Sequence, residues 1–238
     1  MKRLLYGFLG LVLSGSVACA SGVDTDLSDP LFLQSRSGAL VQSGLDYFEN
    51  GLRFKMAFSY GLTDRFVFGG NVHYQQEFSG PEDGFSSIDL GGIYRMNSPY
   101  DDDDNNLIYD VLFGLKFGGS RHVREPDYAD SAYYMGLRFG RQYAGVTFAG
   151  TVKSTWIFDD QNGMAFIDFV PEVYFRVNED WRFGGDLTLR KATNPDYNEE
   201  SLDVKLVCQY GYTQYVWHAG YAFEQRDISA GAQIKVLF

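Results

Sequence analysis

From Gly38 onward, large apolar side chains recur at every second position and hardly pause before the end of the chain. Over Gly51–Leu62, the residues Leu52, Phe54, Met56, Phe58, Tyr60 and Leu62 alternate with Arg53, Lys55, Ala57, Ser59 and Gly61. The last stretch repeats the rule: Ile228, Ala230, Ala232, Ile234, Val236 and Phe238 share one face, and Ser229, Gly231, Gln233 and Lys235 the other. A period of two places successive side chains on opposite faces of a strand. It predicts about twelve strands: Gly38–Glu49, Gly51–Leu62, Phe66–Phe78, Ser87–Met96, Leu107–Phe117, Ala132–Gly140, Ala144–Phe158, Phe166–Val177, Trp181–Lys191, Ser201–Tyr212, Tyr215–Glu224 and Asp227–Phe238. These are close to the ~9–11 residues a tilted strand needs to cross hydrocarbon.

Alternation alone does not say which face is inside, and a soluble sandwich or barrel would hide the aliphatic face. Three features favour lipid. A chain ending on a one-sided strand with a terminal aromatic, Phe238, would leave a sticky edge unless that strand closes against the first. Strand after strand sets aliphatics and aromatics against glycines and charges, which suits a lipid-facing exterior and a polar lumen. An even count with both termini on one side puts the short turns Thr63–Arg65, Arg141-Gln142, Asn178–Asp180 and Thr213-Gln214 together, with most longer segments opposite; the acidic Asn97–Asn106 is the exception. Phe66, Tyr143, Trp181, Tyr212, Tyr215 and Phe238 would form one aromatic girdle, and Tyr47, Phe78, Phe117, Trp156, Phe158 and Phe223 the other. The expected fold is all-β, an antiparallel up-and-down transmembrane β-barrel over residues 38–238.

Composition adds the leader. Lys2 and Arg3, the apolar Leu4–Leu13 and the A-x-A site Ala18-Cys19-Ala20 read as a signal peptide over residues 1–20, too short to span as a helix. Residues 21–37, with Asp24, Asp26, Asp29 and Pro30, read as a mobile N-terminal lead, with a place inside the lumen as one option. Cys19 leaves with the leader, so Cys208 has no intramolecular partner; in the rival reading Cys19 is a lipidated N-terminus. The net charge of −11 argues against nucleic acid, which needs a basic surface. The mean hydropathy of −0.22 beside 45% hydrophobic residues reflects interleaving rather than apolar blocks.

With the amphipathic strands, hairpin turns such as Tyr60-Gly61-Leu62-Thr63-Asp64-Arg65 and the aromatic-terminated last strand in view, the chain resembles the Gram-negative outer-membrane β-barrels of the porin-like superfamily. The resemblance reaches no particular family within it. It implies export to the outer membrane, outer-membrane lipid as surroundings, and Phe238 as the assembly signal read by the barrel-assembly machinery.

The lumen face is charge-mixed, which argues against strong ion selectivity and suits small polar solutes. Its lining or constriction candidates are Arg53, Lys55, His73, Lys153, Glu172, Arg176, Arg182, Asp186 and Arg190. The turn Asn178–Asp180 sets Arg176 opposite Arg182 and Glu172 opposite Asp186, like-charge pairs that destabilise a sheet unless a third group intervenes. Such rows form either a water-filled constriction or an ionic lattice that plugs a small barrel. The turn Gln225-Arg226 brings Glu224 beside Asp227, and with Asp203 opposite Glu224 these three form an acidic outer rim. Asp101–Asp104 with Asn105 and Asn106 offers oxygen ligands but lacks the spacing of a calcium loop, so no metal or cofactor is expected. None of His73, His122 and His218 has a Ser two residues on, as outer-membrane phospholipases do, so no enzyme is expected. The function read from the sequence is a porin-like channel for passive diffusion of small polar solutes. The alternative is a closed structural or interaction barrel with acidic outer loops, and a surface enzyme stands behind both.

Overall fold

A computed structural model describes residues 26–27, 29–48, 51–78, 83–85, 88–97, 107–119, 131–143, 145–158, 164–194, 198–224 and 226–238. The signal peptide, Cys19, His122 and Asp101–Asn106 lie outside them. The strands are β1 (Ala39–Phe48), β2 (Gly51–Thr63), β3 (Phe66–Glu77), β4 (Gly84–Phe85), β5 (Ile88–Arg95), β6 (Leu107–Phe117) and β7 (Ala132–Tyr143). They continue as β8 (Val146–Ile157), β9 (Ala165–Arg176), β10 (Trp181–Ala192), β11 (Glu199–Tyr210), β12 (Thr213–Ala222) and β13 (Asp227–Leu237). Each long strand pairs antiparallel with its neighbours, and β1 pairs with both β2 and β13. The sheet is therefore a closed barrel of twelve strands, as the alternation predicts, with β4 added beside Tyr74 and Gln75 of β3.

Closure happens at the stretch whose terminal Phe had no soluble explanation. Leu40 faces Leu237 and Tyr47 faces Ala230 across the seam. Ala39 and Phe238 exchange both backbone bonds, N–H of Ala39 to O of Phe238 at 3.1 Å and N–H of Phe238 to O of Ala39 at 2.8 Å. With the ladder closed, each of the twelve long strands among the described residues has a partner strand on both sides, which is what hydrocarbon demands of a spanning sheet.

The exterior is apolar: Phe58, Leu62, Phe113, Met135, Phe148, Ile167, Trp217 and many others are exposed. Aromatic clusters gather at the two ends. Trp181, Trp217 and Tyr215 stack at centroid distances of 6.3 and 6.5 Å near the end carrying Ala39 and Phe238, here called the lower end. Tyr133 stacks on Trp156 at 4.8 Å, and Tyr221 meets Phe223 edge-on at 5.3 Å, near the upper end. An exposed apolar belt of this extent is incompatible with a water-facing surface and fits lipid.

Two expected turns lie elsewhere. β7 runs on through Arg141 and Gln142 to Tyr143, which pairs with Val146. β11 ends at Tyr210, which pairs with Thr213, so the turn is Gly211-Tyr212 and not Thr213-Gln214. In both cases a glycine with positive φ takes the reversal, Gly145 at 81° and Gly211 at 58°. A left-handed conformation costs glycine nothing extra, and tight hairpins require it. The second shift changes a site expectation: Asp203 lies opposite Gly220, not opposite Glu224. Asp227 opens β13 opposite Ala222, and Glu224 lies in the preceding turn.

Candidate functional site: a charge-lined lumen

The barrel interior is polar because every second residue of every strand must point there, and those are the charged and small ones. The nine lining candidates fall on this face. The expected like-charge rows are real: Arg176 faces Arg182, and Glu172 faces Asp186. Third groups relieve them, as sheet energetics requires. Arg182, 2% exposed, donates to Asp26 at 3.0 Å and to the Glu179 carbonyl at 2.6 Å. Arg176 is exposed at the lower rim. Asp186 accepts from Lys205 Nζ at 2.5 Å.

That last pair starts a ladder of alternating charge across five strands. Lys205 also approaches Asp203 at 3.9 Å. His218 lies between two carboxylates, Nδ1 at 3.2 Å from Asp203 and Nε2 at 3.0 Å from Asp46. Asp46 then pairs with Lys55. To reach Asp46 on β1, His218 on β12 must cross β13, and it does so at Gly231. A Cβ there would fall on His218 Nε2 and Asp46 Oδ1. The glycine is a window through which the network passes.

Two more clusters stiffen the barrel, one on β5–β7 and one on β8–β10. Asp110, with 0% exposure, is gripped by Arg95 (Nε–Oδ1 2.9 Å, Nη2–Oδ2 3.2 Å) and Arg138 (Nε–Oδ2 2.8 Å, Nη2–Oδ2 2.5 Å). Asp168 receives Arg190 (Nε–Oδ1 2.7 Å) and Lys153 (3.4 Å), and Arg190 lies 4.9 Å over the Phe166 ring. Arg53 donates to Gln75 at 3.3 Å, and His73 stands opposite Lys55. Such bidentate, charge-assisted contacts position side chains more strictly than a single bond does.

Residues 26–37 cross the lower mouth. Leu27 donates its N–H to Gln209 of β11 at 3.1 Å, and Asp29 accepts from the Thr147 hydroxyl of β8 at 2.9 Å. Leu31 is buried against Ile108 and Ala149, and its carbonyl receives Arg95 Nη2 at 2.5 Å. Gln34 donates to the Ser59 hydroxyl, the Arg36 N–H to Asp64 at 3.0 Å and the Ser37 N–H to the Gly61 carbonyl at 2.7 Å. Burial of Asp29 holds its carboxyl above the ordinary 3.8, outweighing the Leu31 N–H and Thr147 hydroxyl that favour its charged form. Above this segment lies a cavity of about 410 Å³, with Leu27 and Pro30 on its floor and Lys55, Glu172, Lys205 and Lys235 among its walls.

Barrel closure joins Asp46, Asp203 and His218, which the sequence left unconnected, into one ladder. The signal was present in Gly231, the small residue lying between Asp46 and His218 once β13 is paired on both sides. Among the described residues, no group of three or more His, Cys, Asp or Glu side chains is arranged to hold a metal.

No protein-family model and no curated protein matches the chain. Solved structures do. The KdgM porin superposes with a TM-score of 0.63 at 12% identity, over 83% of this chain and 98% of that one. The NanC porin gives 0.63 at 11% over the same shares. An outer membrane channel from Pseudomonas putida F1 gives 0.63 at 11%, over 90% and 99%. At these identities the likeness is one of fold alone, a closed antiparallel barrel of twelve strands.

Proposed function

We propose that this chain is an outer-membrane, porin-like channel of a Gram-negative bacterium through which small polar solutes diffuse. The observation that carries the reading is a closed barrel with a lipid-compatible exterior and a lumen cavity of about 410 Å³ lined by both signs of charge. Fold likeness to porins supports it; the KdgM porin has also been solved in complex with disordered oligogalacturonate. Solute enters by diffusion and exchanges water for lumen side chains, with Lys205, Asp186, Asp203, His218, Asp46 and Lys55 offering alternating donors and acceptors along the wall. Selectivity would come from matched polar groups rather than from a field of one sign. The reading is a channel and not an enzyme. On it, Arg176 and Arg182 form a basic zone below Glu172 and Asp186, while Lys153 and Arg190 line the upper half. Planar-bilayer recording of refolded protein tests this, and absence of conductance steps would sink it.

A second reading, a closed structural or interaction barrel, is favoured by residues 26–37 lying across the lower mouth. Conductance that appears only when those residues are deleted would support it. Assembly is expected to depend on Phe238: a chain lacking it should be exported yet fail to build up in the outer membrane. Normal barrel levels in that variant would remove the proposed role of the barrel-assembly machinery.

A further inference from the structure

The cavity above residues 26–37 is lined by charges that are mostly satisfied. Lys55 is held by Asp46, Lys205 by Asp186 and Asp203, and His218 by Asp46 and Asp203. Asp29 is bonded to Thr147 and to the Leu31 N–H. Two charged groups remain. Among the described residues, Lys235 of β13 and Glu172 of β9 line the same cavity without a hydrogen bond or an ion-pair contact, to each other or to any other side chain. Lys235 stands between Gln42 and Gln214 in register, and Glu172 between Ala149 and Asp186. Lys205 is the largest charge influence on both, and each also reaches the other's field across the gap. Part of the wall is apolar: Tyr174, Val207 and Val216 form one buried cluster lining the cavity beside the Lys205–Asp186 pair, with Leu27 and Pro30 below.

A lone ammonium and a lone carboxylate inside a barrel are each costly unless something pairs with them. Their placement in one cavity that also offers an apolar patch calls for a ligand of the opposite polarity at each end with a short aliphatic body between. We infer that this cavity is a binding subsite for small zwitterions, molecules carrying one carboxylate and one ammonium. The ligand carboxylate pairs with Lys235, its ammonium with Glu172, and its methylenes lie on Tyr174, Val207 and Val216. The inference rests on the channel reading for its route of access, and it narrows that reading to a solute class. An anion alone would satisfy Lys235 while bringing a like charge towards Glu172. A cation alone would do the reverse. Only a zwitterion relieves both.

The test is equilibrium binding to refolded full-length protein in detergent micelles, by isothermal titration with a matched series. γ-Aminobutyrate is the zwitterion; butyrate and butylamine are its two halves with a similar skeleton. Glycine, β-alanine and 6-aminohexanoate vary the charge separation. The expected result is at least tenfold tighter binding of one ω-amino acid than of either half, with a single optimum in chain length. Glu172→Gln and Lys235→Met should each reduce it to the level of the halves, and the double exchange Glu172→Lys with Lys235→Glu should restore binding. Butyrate or butylamine binding as tightly as every zwitterion would overturn the inference, as would no binding at millimolar ligand. The ligand series on the unaltered chain decides the matter even if a variant fails to assemble. Binding without conductance would keep the subsite and refute the channel; conductance without zwitterion binding would do the opposite.

Discussion

Leu31→Ala is the most direct probe of how firmly residues 26–37 are held. Leu31 is 4% exposed and packs on Ile108 and Ala149, and its Cδ1 lies against Gly140. Truncation removes three carbons, worth about 2.4 kcal/mol at ~0.8 kcal/mol per buried CH₂. A rigid barrel wall cannot collapse into the space, so the cost should lie at or above that figure and within the range of about 2–5 kcal/mol for core truncations. The ladder of the barrel is untouched, so the whole cost falls on the docking equilibrium of this one segment. At ~1.4 kcal/mol per factor of ten, the undocked population should rise roughly 50-fold. Hydrogen exchange reads this at defined sites: the Leu27 N–H bonded to Gln209, the Leu31 N–H bonded to Asp29 and the Ser37 N–H bonded to the Gly61 carbonyl. Protection at Leu27 and Leu31 should drop by that factor while the seam amide of Phe238 keeps its own. Unchanged protection at Leu31, or an equal loss at Phe238, would refute the reasoning, since either result means the segment is not a separately docked unit.

Three other outcomes are expected. Asp110→Ala leaves Arg95 and Arg138 facing each other without their shared anion and should cost about 3–5 kcal/mol, read as a lower urea midpoint; adding Arg95→Met and Arg138→Met should recover much of it. Gly231→Val closes the window between His218 and Asp46, so the His218 ring resonances should lose their coupling to Asp46 titration by NMR while β12–β13 pairing stays intact. Docking of residues 26–37 should weaken with rising pH. The Asp29 carboxyl binds its proton more tightly when docked, so its favourable contribution is complete below 3.8 and is lost as pH climbs through its raised value. Exchange protection at Leu31 should fall across a window opening at 3.8, and Asp29→Asn should flatten the profile.

The lumen's lattice explains why a barrel of this size need not be an open pipe. Eight-stranded barrels are filled by side chains and sixteen-stranded porins hold a wide channel, so twelve strands leave a passage that a few residues can narrow. Here Arg95, Asp110 and Arg138 fill one wall, and the segment around Leu31 lies on them through the Arg95 bond to its carbonyl. The remaining space lies on the β9–β13 side, where Lys235 and Glu172 face it.

The alternation of apolar and polar residues was enough to determine the strands and which residues share a face, because side-chain direction in a strand is a local, two-residue property. The charges and glycines opposite the aliphatics pointed to the inward face, and pairing of Ile228–Phe238 with β1 closed the ladder. The rows Arg176 with Arg182 and Glu172 with Asp186 were legible for the same reason, since a single turn sets their register. Where a turn was misplaced, as at Thr213-Gln214, the register slid and carried Asp203 away from Glu224. The positive φ of Gly211 decided that turn, and a hydrophobic pattern carries no record of backbone sign. Other features needed the closed barrel. His218 meets Asp46 across a sequence separation of 172 residues, and Leu27 meets Gln209 across 182. No periodicity encodes such contacts; they exist because closure brings β1 beside β13 and gives residues 26–37 an interior to enter.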